Sequence, residues 1–344
     1  MLNSVKLTQY STGGGCGCKI NPVELKNIIK GIVAGSEFPN LIVGNNTADD
    51  ASVFDLKNGK LLIQTADFFM PIVDDPYIYG QIAAANAISD VYAMGGKPVM
   101  ANALLGFPSD KLPAMVANAI LKGAQNICKS VNIPLAGGHS IKTNEPIFGL
   151  SVTGITSKKH LKTNSNAKEN DIIYITKPLG TGILATALKR EKLSRKGLKN
   201  LIKYTTKVNT EGLIFGKINY INSMTDITGF GLLGHLSEMC NGAKLGAELY
   251  YNKIPVISEV WKCIEQKTIP GNTAFNYQNI EKKVKSMPIE FIPILNDPQT
   301  NGGLMIAVDE NKIKTFEKYC FRNNISIYKI GKFVKDKNIK IVQL

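Results

Sequence analysis

Seven consecutive residues near the amino terminus, Gly13-Gly14-Gly15-Cys16-Gly17-Cys18-Lys19, combine a soft nucleophile, a fixed positive charge and a freely bending backbone. A thiol beside a lysine shifts toward thiolate, its reactive form, and glycine adopts φ > 0 without steric cost. Cys16 and Lys19 are therefore the first candidates for catalytic residues. The stretch is not a Walker P-loop. That loop needs Gly-Lys adjacent, followed by Ser or Thr, whereas Cys18 separates Gly17 from Lys19 and Ile20 follows. Cys-x-Cys could supply half of a zinc site, but Cys128, Cys240, Cys263 and Cys320 are scattered singly, and His139, His160 and His235 do not cluster. The plainest alternative is a flexible tail with an idle cysteine.

The carboxylates are the second candidate set. Asp49-Asp50 lie in a loop between two expected strands, Asp67 ends the expected strand Leu61–Ala66, and Asp226 precedes Gly229-Phe230-Gly231 and a helix expected to run through Cys240. Asp90 is the only charged side chain between Asp75 and Lys97. A lone carboxylate on an otherwise uncharged helix is costly to bury unless it is paired or binds a metal. Asn86 lies one turn earlier on the same face. Each aspartate alone also suits a cap or a turn. Together, at strand ends and helix starts, they suit a hard cation whose oxygen shell is completed by phosphate, with magnesium and a nucleoside triphosphate the obvious pair. Gly137-Gly138-His139-Ser140, read as a turn, offers bare N–H groups and a hydroxyl to phosphate oxygens.

The elements that must position these groups are strands and helices mixed along the whole chain. Strands are expected around Ile42-Val43, Ala51–Phe54 and Leu61–Ala66, with Asn45-Asn46 and Asn58-Gly59 as turns. Asp75-Pro76 reads as an N-cap followed by proline at the first helical position, opening a helix that runs to about Met94 and stops at Gly95-Gly96. A second helix is expected over 110–130 and a strand over Ile147–Ile155. Residues 156–170 are polar and lack an apolar period, which marks a linker. A second unit starts at Asp171 with the strand Ile172–Ile175, and Gly180-Thr181-Gly182 opens a helix. The class is α/β or α+β in two domains.

Composition removes other classes. The chain has 344 residues, six cysteines and a formal net charge of +14. The charge comes mostly from dispersed lysines, often Lys-x-x-Lys on solvated faces. The densest stretch, 189–203, reads as an exposed helix, so nucleic-acid binding is not the main function. No apolar run reaches membrane-helix length, and no secretory signal is visible. Unpatterned cysteines without such a signal imply a reducing, cytoplasmic setting.

Several blocks resemble the selenophosphate synthetase (selenide, water dikinase) family. They are Leu7-Thr8-Gln9-Tyr10-Ser11 with Gly15-Cys16-Gly17-Cys18-Lys19, Thr47-Ala48-Asp49-Asp50-Ala51, Asp67–Val73, Asn86–Asp90, Met94–Pro98, Ala136–Ser140, Met224–Gly231 and Asp297-Pro298-Gln299-Thr300. The aspartate and Gly-Phe-Gly blocks are shared with the wider superfamily of aminoimidazole ribonucleotide synthetase, and Gly-Cys-Gly-Cys-Lys is the specific part. Thr12, Gly14 and Asn301 depart from the usual residues. The resemblance implies synthesis of selenophosphate from selenide, ATP and water, releasing AMP and phosphate. It implies Cys16 and Lys19 as catalytic residues. Lys19, Thr47, Ala48, Asp49, Asp67, Asp90, Gly138, His139 and Ser140 would contact the nucleotide, and Asp50, Asp90 and Asp226 would bind Mg2+. It also implies the two-domain α+β aminoimidazole ribonucleotide synthetase-like fold, with N-terminal sheets pairing into a barrel across a homodimer. The corresponding division is 1–20 as a flexible glycine-rich lid, 21–157 as an ATP-binding and dimerisation domain, and 170–344 as a C-terminal α/β domain. The alternatives are another ATP-dependent kinase of the superfamily, such as a thiamine-phosphate kinase, and a non-enzymatic selenium or metal carrier.

Overall fold

In the computed structural model, which describes residues 5–20, 22–32, 37–44, 49–285 and 287–343, the chain forms two sheets, each with its own helices. The first unit holds α1 (Pro22–Ile28), β1 (Leu41–Val43), β2 (Ser52–Asp55), β3 (Leu61–Phe69), α2 (Pro76–Ala93), β4 (Lys97–Phe107), α3 (Ala114–Ser130), β5 (Leu135–Lys142) and β6 (Ile147–Thr156). Its six strands run in the order β1-β2-β3-β6-β4-β5. Side chains alternate inward and outward along β3, with Leu61, Ile63, Thr65 and Phe69 buried, the pattern of a sheet covered on one face only.

The covering helix is α2. Asp75 caps it by accepting from the Ile78 N–H at 3.0 Å, and Pro76 follows at the first turn. Almost every later side chain of α2 is buried, because the helix has β3 and β6 on one side and α3 and elements of the second unit on the others. Glycines set the closeness of the two helices: a Cβ on Gly80 would lie 1.9 Å from the Ile120 carbonyl oxygen, and one on Gly123 would lie 1.9 Å from that of Tyr77.

The second unit follows with β7 (Ile172–Ile175), α4 (Thr181–Lys189), α5 (Arg195–Thr206), α6 (Glu211–Gly216), β8 (Ile221–Asp226), α7 (Gly231–Ala243), β9 (Gly246–Tyr250), α8 (Val260–Glu265), α9 (Asn272–Ile280), β10 (Val284–Lys285), α10 (Ile292–Leu295), β11 (Leu304–Val308), α11 (Ile313–Arg322), β12 (Tyr328–Val334) and β13 (Ile339–Val342). Its seven strands run β10-β13-β9-β12-β7-β11-β8. Both faces of this sheet are covered, and β7 and β11 are buried at every position, as continuous apolar runs such as Leu304–Val308 require. No helix among the described residues is long and apolar enough to cross a membrane.

Four local expectations are corrected. Asp67 does not end its strand: β3 continues to Phe69 because it pairs with β6 over its whole length, from Leu61–Thr156 to Phe69–Phe148. α3 begins at Ala114 rather than near 110, since Pro113 holds an extended backbone (ψ 149°) just before it. Gly137–Ser140 is no turn but the middle of β5, pairing parallel with β4. Gly138 sits there at φ +154°, where a Cβ would lie 2.1 Å from the Ala103 carbonyl oxygen. The stretch read as a linker carries no regular element over 157–171, yet it is packed. Its Lys162 is buried and donates to the carbonyls of Ile218 and Ile221 at 3.0 and 2.7 Å. The Asn45-Asn46 turn lies outside the described residues.

Candidate active site between the two units

α2 is the spine of the site, and one polar face of it reaches both units. Asn86 donates to the Asp67 carboxylate on β3 and accepts from the Asn301 N–H at 2.7 Å. Asn301 is held in turn by Lys177, whose ammonium donates to the Asn301 and Lys207 carbonyls at 2.8 and 2.6 Å. Ser89, one turn on, donates to Asp226 and accepts from Asn209 at 2.8 Å. Asp90 accepts from the Thr65 hydroxyl at 2.5 Å. Asp50, in the loop before β2, accepts from Thr225 at 2.8 Å, beside the Asp226 that ends β8. The loop, the helix and two strands thus carry Asp50, Asp67, Asp90 and Asp226 to one place.

These carboxylates feel one another strongly. Burial pushes Asp50 well above the ordinary carboxylate range, and the neighbouring charges of Asp226 and Asp90 push it further. Asp90 is raised in the same way, by burial, Asp226 and Asp67, with the Lys19 ammonium acting against them. Asp226 is raised chiefly by burial, opposed by the Ser89 hydroxyl, His235 and Lys19. Like charges gathered away from water are unstable alone and stable around a cation. Asp50 Oδ2 is shielded from solvent and meets no hydrogen-bond donor among the described residues, which leaves a lone pair free for a metal. No three His, Cys, Asp or Glu side chains among the described residues are arranged to enclose an ion unaided. A cation held here would therefore need oxygens of a bound phosphate in addition to the carboxylates.

The N-terminal arm reaches the edge of this cluster at Lys19. Leu7 and Thr8 are buried, the Gly15 N–H donates to the Met70 carbonyl at 2.8 Å, and a single 3₁₀ turn spans Gly15–Cys18. Lys19 Nζ stands 3.8 Å from Asp67 Oδ2, which brings its charge to the edge of the aspartates. Asp49 accepts from the Asn164 N–H at 2.8 Å. The Cys16 side chain and residues Thr47 and Ala48 lie outside the described residues.

Gly138, His139 and Ser140 are not gathered into the cluster. β5 is the third strand from β3, at the sheet edge. His139 is exposed beside Phe68, Leu105, Ile141 and Ile147 in an apolar hollow on the uncovered face.

Sequence reading missed Thr65, Ser89, Asn209 and Lys177 as supports. Ser89 adjoins Asp90, a usable signal; the other three are joined to the site only by tertiary contacts. It also left open what Gly180-Thr181-Gly182 binds. The N–H groups of Gly180 and Thr181 donate to Gln299 Oε1 at 3.0 and 3.1 Å, and that of Gly182 to Asp297 Oδ2 at 3.0 Å. This helix start is therefore closed internally. Burial pushes Asp297 to about 8, from an ordinary 3.8. Stability from neutral Asp297 is complete below the unfolded value and is lost as pH rises toward about 8. Asp297→Asn, which stays neutral, should therefore out-melt the parent by a margin that widens between about pH 5 and pH 8 and then levels off. Melting curves across that range check this, and a margin independent of pH contradicts it.

Comparison with known proteins agrees across the chain. The family profile for AIR synthase related protein, N-terminal domain, matches residues 48–156, and that for the C-terminal domain matches 168–343. A selenide, water dikinase of Haemophilus influenzae (strain 86-028NP) is 47% identical over 95% of this chain and 94% of its own. One of Escherichia coli O139:H28 is 48% identical over 91% of each. Among solved structures, thiamine monophosphate kinase from Aquifex aeolicus superposes with a TM-score of 0.70 at 18% identity, covering 94% of this chain and 97% of that one. The HypE-HypF complex gives 0.65 at 17% identity, over 93% and 96%. At such identities the solved structures speak for the fold alone.

Proposed function

Because this chain belongs to the AIR synthase related family, and within it to the selenide, water dikinases, we propose that the buried aspartates and the N-terminal arm are the two halves of a selenophosphate-making site. The protein is an ATP-dependent enzyme that makes selenophosphate from selenide and water, releasing AMP and phosphate. The observation that carries the site reading is the convergence of Asp50, Asp90 and Asp226 from both units beneath an arm whose Lys19 faces Asp67.

In this reading Asp50, Asp90 and Asp226 hold Mg2+, consistent with the unpartnered Asp50 Oδ2. When bound, the metal supplies neutralisation and alignment of the phosphates for in-line transfer. Lys19 adds a positive charge over the phosphates, steered by Asp67 and by Asn86 behind it. Such a charge acts strongly where water is excluded. The arm, glycine-rich and docked, excludes water from the phosphoryl group in flight. Cys16 brings a soft sulfur to a soft, easily oxidised substrate. Thr47, Ala48 and Asp49, which precede Asp50 in the sequence, take the nucleotide.

A homodimer completes the proposal. The uncovered face of the first sheet exposes Phe68 and Ile141 by more than half (56% and 58%), an apolar patch of the kind that marks an interface. Gly138, His139 and Ser140 are three strands from Asp67, and His139 faces that side beside Phe68 and Ile141, so in this reading their contact with nucleotide is made to a second copy of the chain.

Phosphorus NMR of the purified protein with ATP, Mg2+ and selenide tests the function. A selenophosphate resonance with AMP and orthophosphate is expected. ADP as the only nucleotide product would favour a kinase of the superfamily instead, and binding without ATP consumption would favour a carrier.

A further inference from the structure

The glycines that free the arm also leave it without handles. Gly13, Gly14 and Gly15 have no side chains to anchor, and ordering such a segment is entropically expensive. Backbone carbonyls are what remains to be gripped, and one side chain grips two of them. Lys189, the last residue of α4, donates from Nζ to the Ser11 carbonyl at 2.6 Å and the Gly13 carbonyl at 3.1 Å. Its own carbonyl accepts from the Gln9 amide at 3.4 Å. Lys189 is half-buried, at the wall of a hollow of about 500 Å³ that it shares with Gly13, Gly14, Gly17, Pro71 and Thr300.

The grip is opposed and braced. From the first unit, Glu145 Oε2 accepts from the Thr12 N–H at 3.0 Å and its hydroxyl at 3.3 Å. Residues 11–13 are thus held between a cation of the second unit and an anion of the first. The helix carrying Lys189 is fixed at its other end by Asp297 and Gln299. The Lys189 charge also reaches the Cys18 thiol, where it works against burial and Glu145.

We propose that Lys189 is a positioning residue for the reaction: by gripping the Ser11 and Gly13 carbonyls it fixes the Gly13–Lys19 stretch over the aspartates. This rests on the reading of the arm as half of the site. In this role Lys189 acts through the carbonyls of the arm, so its effect falls on turnover rather than on nucleotide affinity.

The test uses the full chain with Lys189→Met, Lys189→Arg and, alongside, Cys16→Ser. In Lys189→Met, hydrogen exchange of the peptide covering 5–20 should accelerate, and kcat should fall about tenfold or more while KM for ATP stays within about twofold, as misplacement of a catalytic segment costs rate. Lys189→Arg, able to span two carbonyls, should restore most of the rate. If the Met variant does not fold, Lys189→Gln, which keeps a donor without the reach, carries the same expectation. Unchanged exchange of the arm peptide, or unchanged kcat, overturns the proposal. The control separates its failure from that of the site reading. An inactive Cys16→Ser beside a fully active Lys189→Met sinks only the role of Lys189, whereas full activity in both sinks the arm reading as well.

Discussion

Cys16→Ser is expected to lower selenophosphate formation by at least about a hundredfold while leaving ATP affinity within about twofold, because the change removes the thiolate that makes cysteine reactive near neutral pH. The substitution is nearly isosteric, so the docking of the arm through Leu7, Thr8 and Gly15 is untouched. Lys19 keeps its place near Asp67, and the aspartates keep theirs. Cys18 is a poor substitute although it is only two residues away: burial pushes its thiol up, which suppresses the thiolate. Phosphorus NMR of product, with ATP affinity measured by calorimetry, checks the prediction. Full product formation by Cys16→Ser would remove this cysteine from the mechanism.

Asp90→Asn is expected to show the opposite signs in activity and stability. Turnover should fall about a thousandfold, equivalent to about 4 kcal/mol of barrier, because in the proposed reading one of the oxygens holding the phosphate-neutralising metal is lost. The apo protein should nevertheless melt a few degrees higher. Burial, Asp226 and Asp67 all oppose the charge on Asp90, and an amide relieves that repulsion while still accepting from the Thr65 hydroxyl. Active sites commonly trade stability for function in this way. A drop in both activity and melting temperature would mean that Asp90 is structural. Unchanged turnover would mean that it is not a ligand.

Much of the frame was legible in the chain, and each success has a local cause. Asp75-Pro76 marked the start of α2 because capping and a fixed proline φ are decided within four residues. Asp90 stood out because a single charge on an otherwise uncharged helix needs a reason to be there. The failures are equally physical. Gly137-Gly138 looked like a turn, yet Gly138 is glycine so that β4 can pass close to β5, and only the partner strand reveals that. Asp67 seemed terminal because aspartate is depleted in strands, while pairing with β6 carried the strand on to Phe69. Lys189 was read as part of a solvated basic face. Its acceptors, Ser11 and Gly13, lie more than 170 positions away, and no local pattern encodes such a contact. The same holds for Asn209, which reaches Ser89 across the units.

The central claim is that the aspartate cluster and the nucleotide's phosphates hold the metal jointly. Counting Mn2+ bound per chain by electron paramagnetic resonance, with and without a non-hydrolysable ATP analogue, tests it most directly. Tight binding should require the analogue, since magnesium-type ions are held by carboxylates together with substrate phosphates, and Asp90→Asn should weaken it by at least about a hundredfold. Equal binding with and without the analogue, or binding indifferent to Asp90→Asn, would contradict the account.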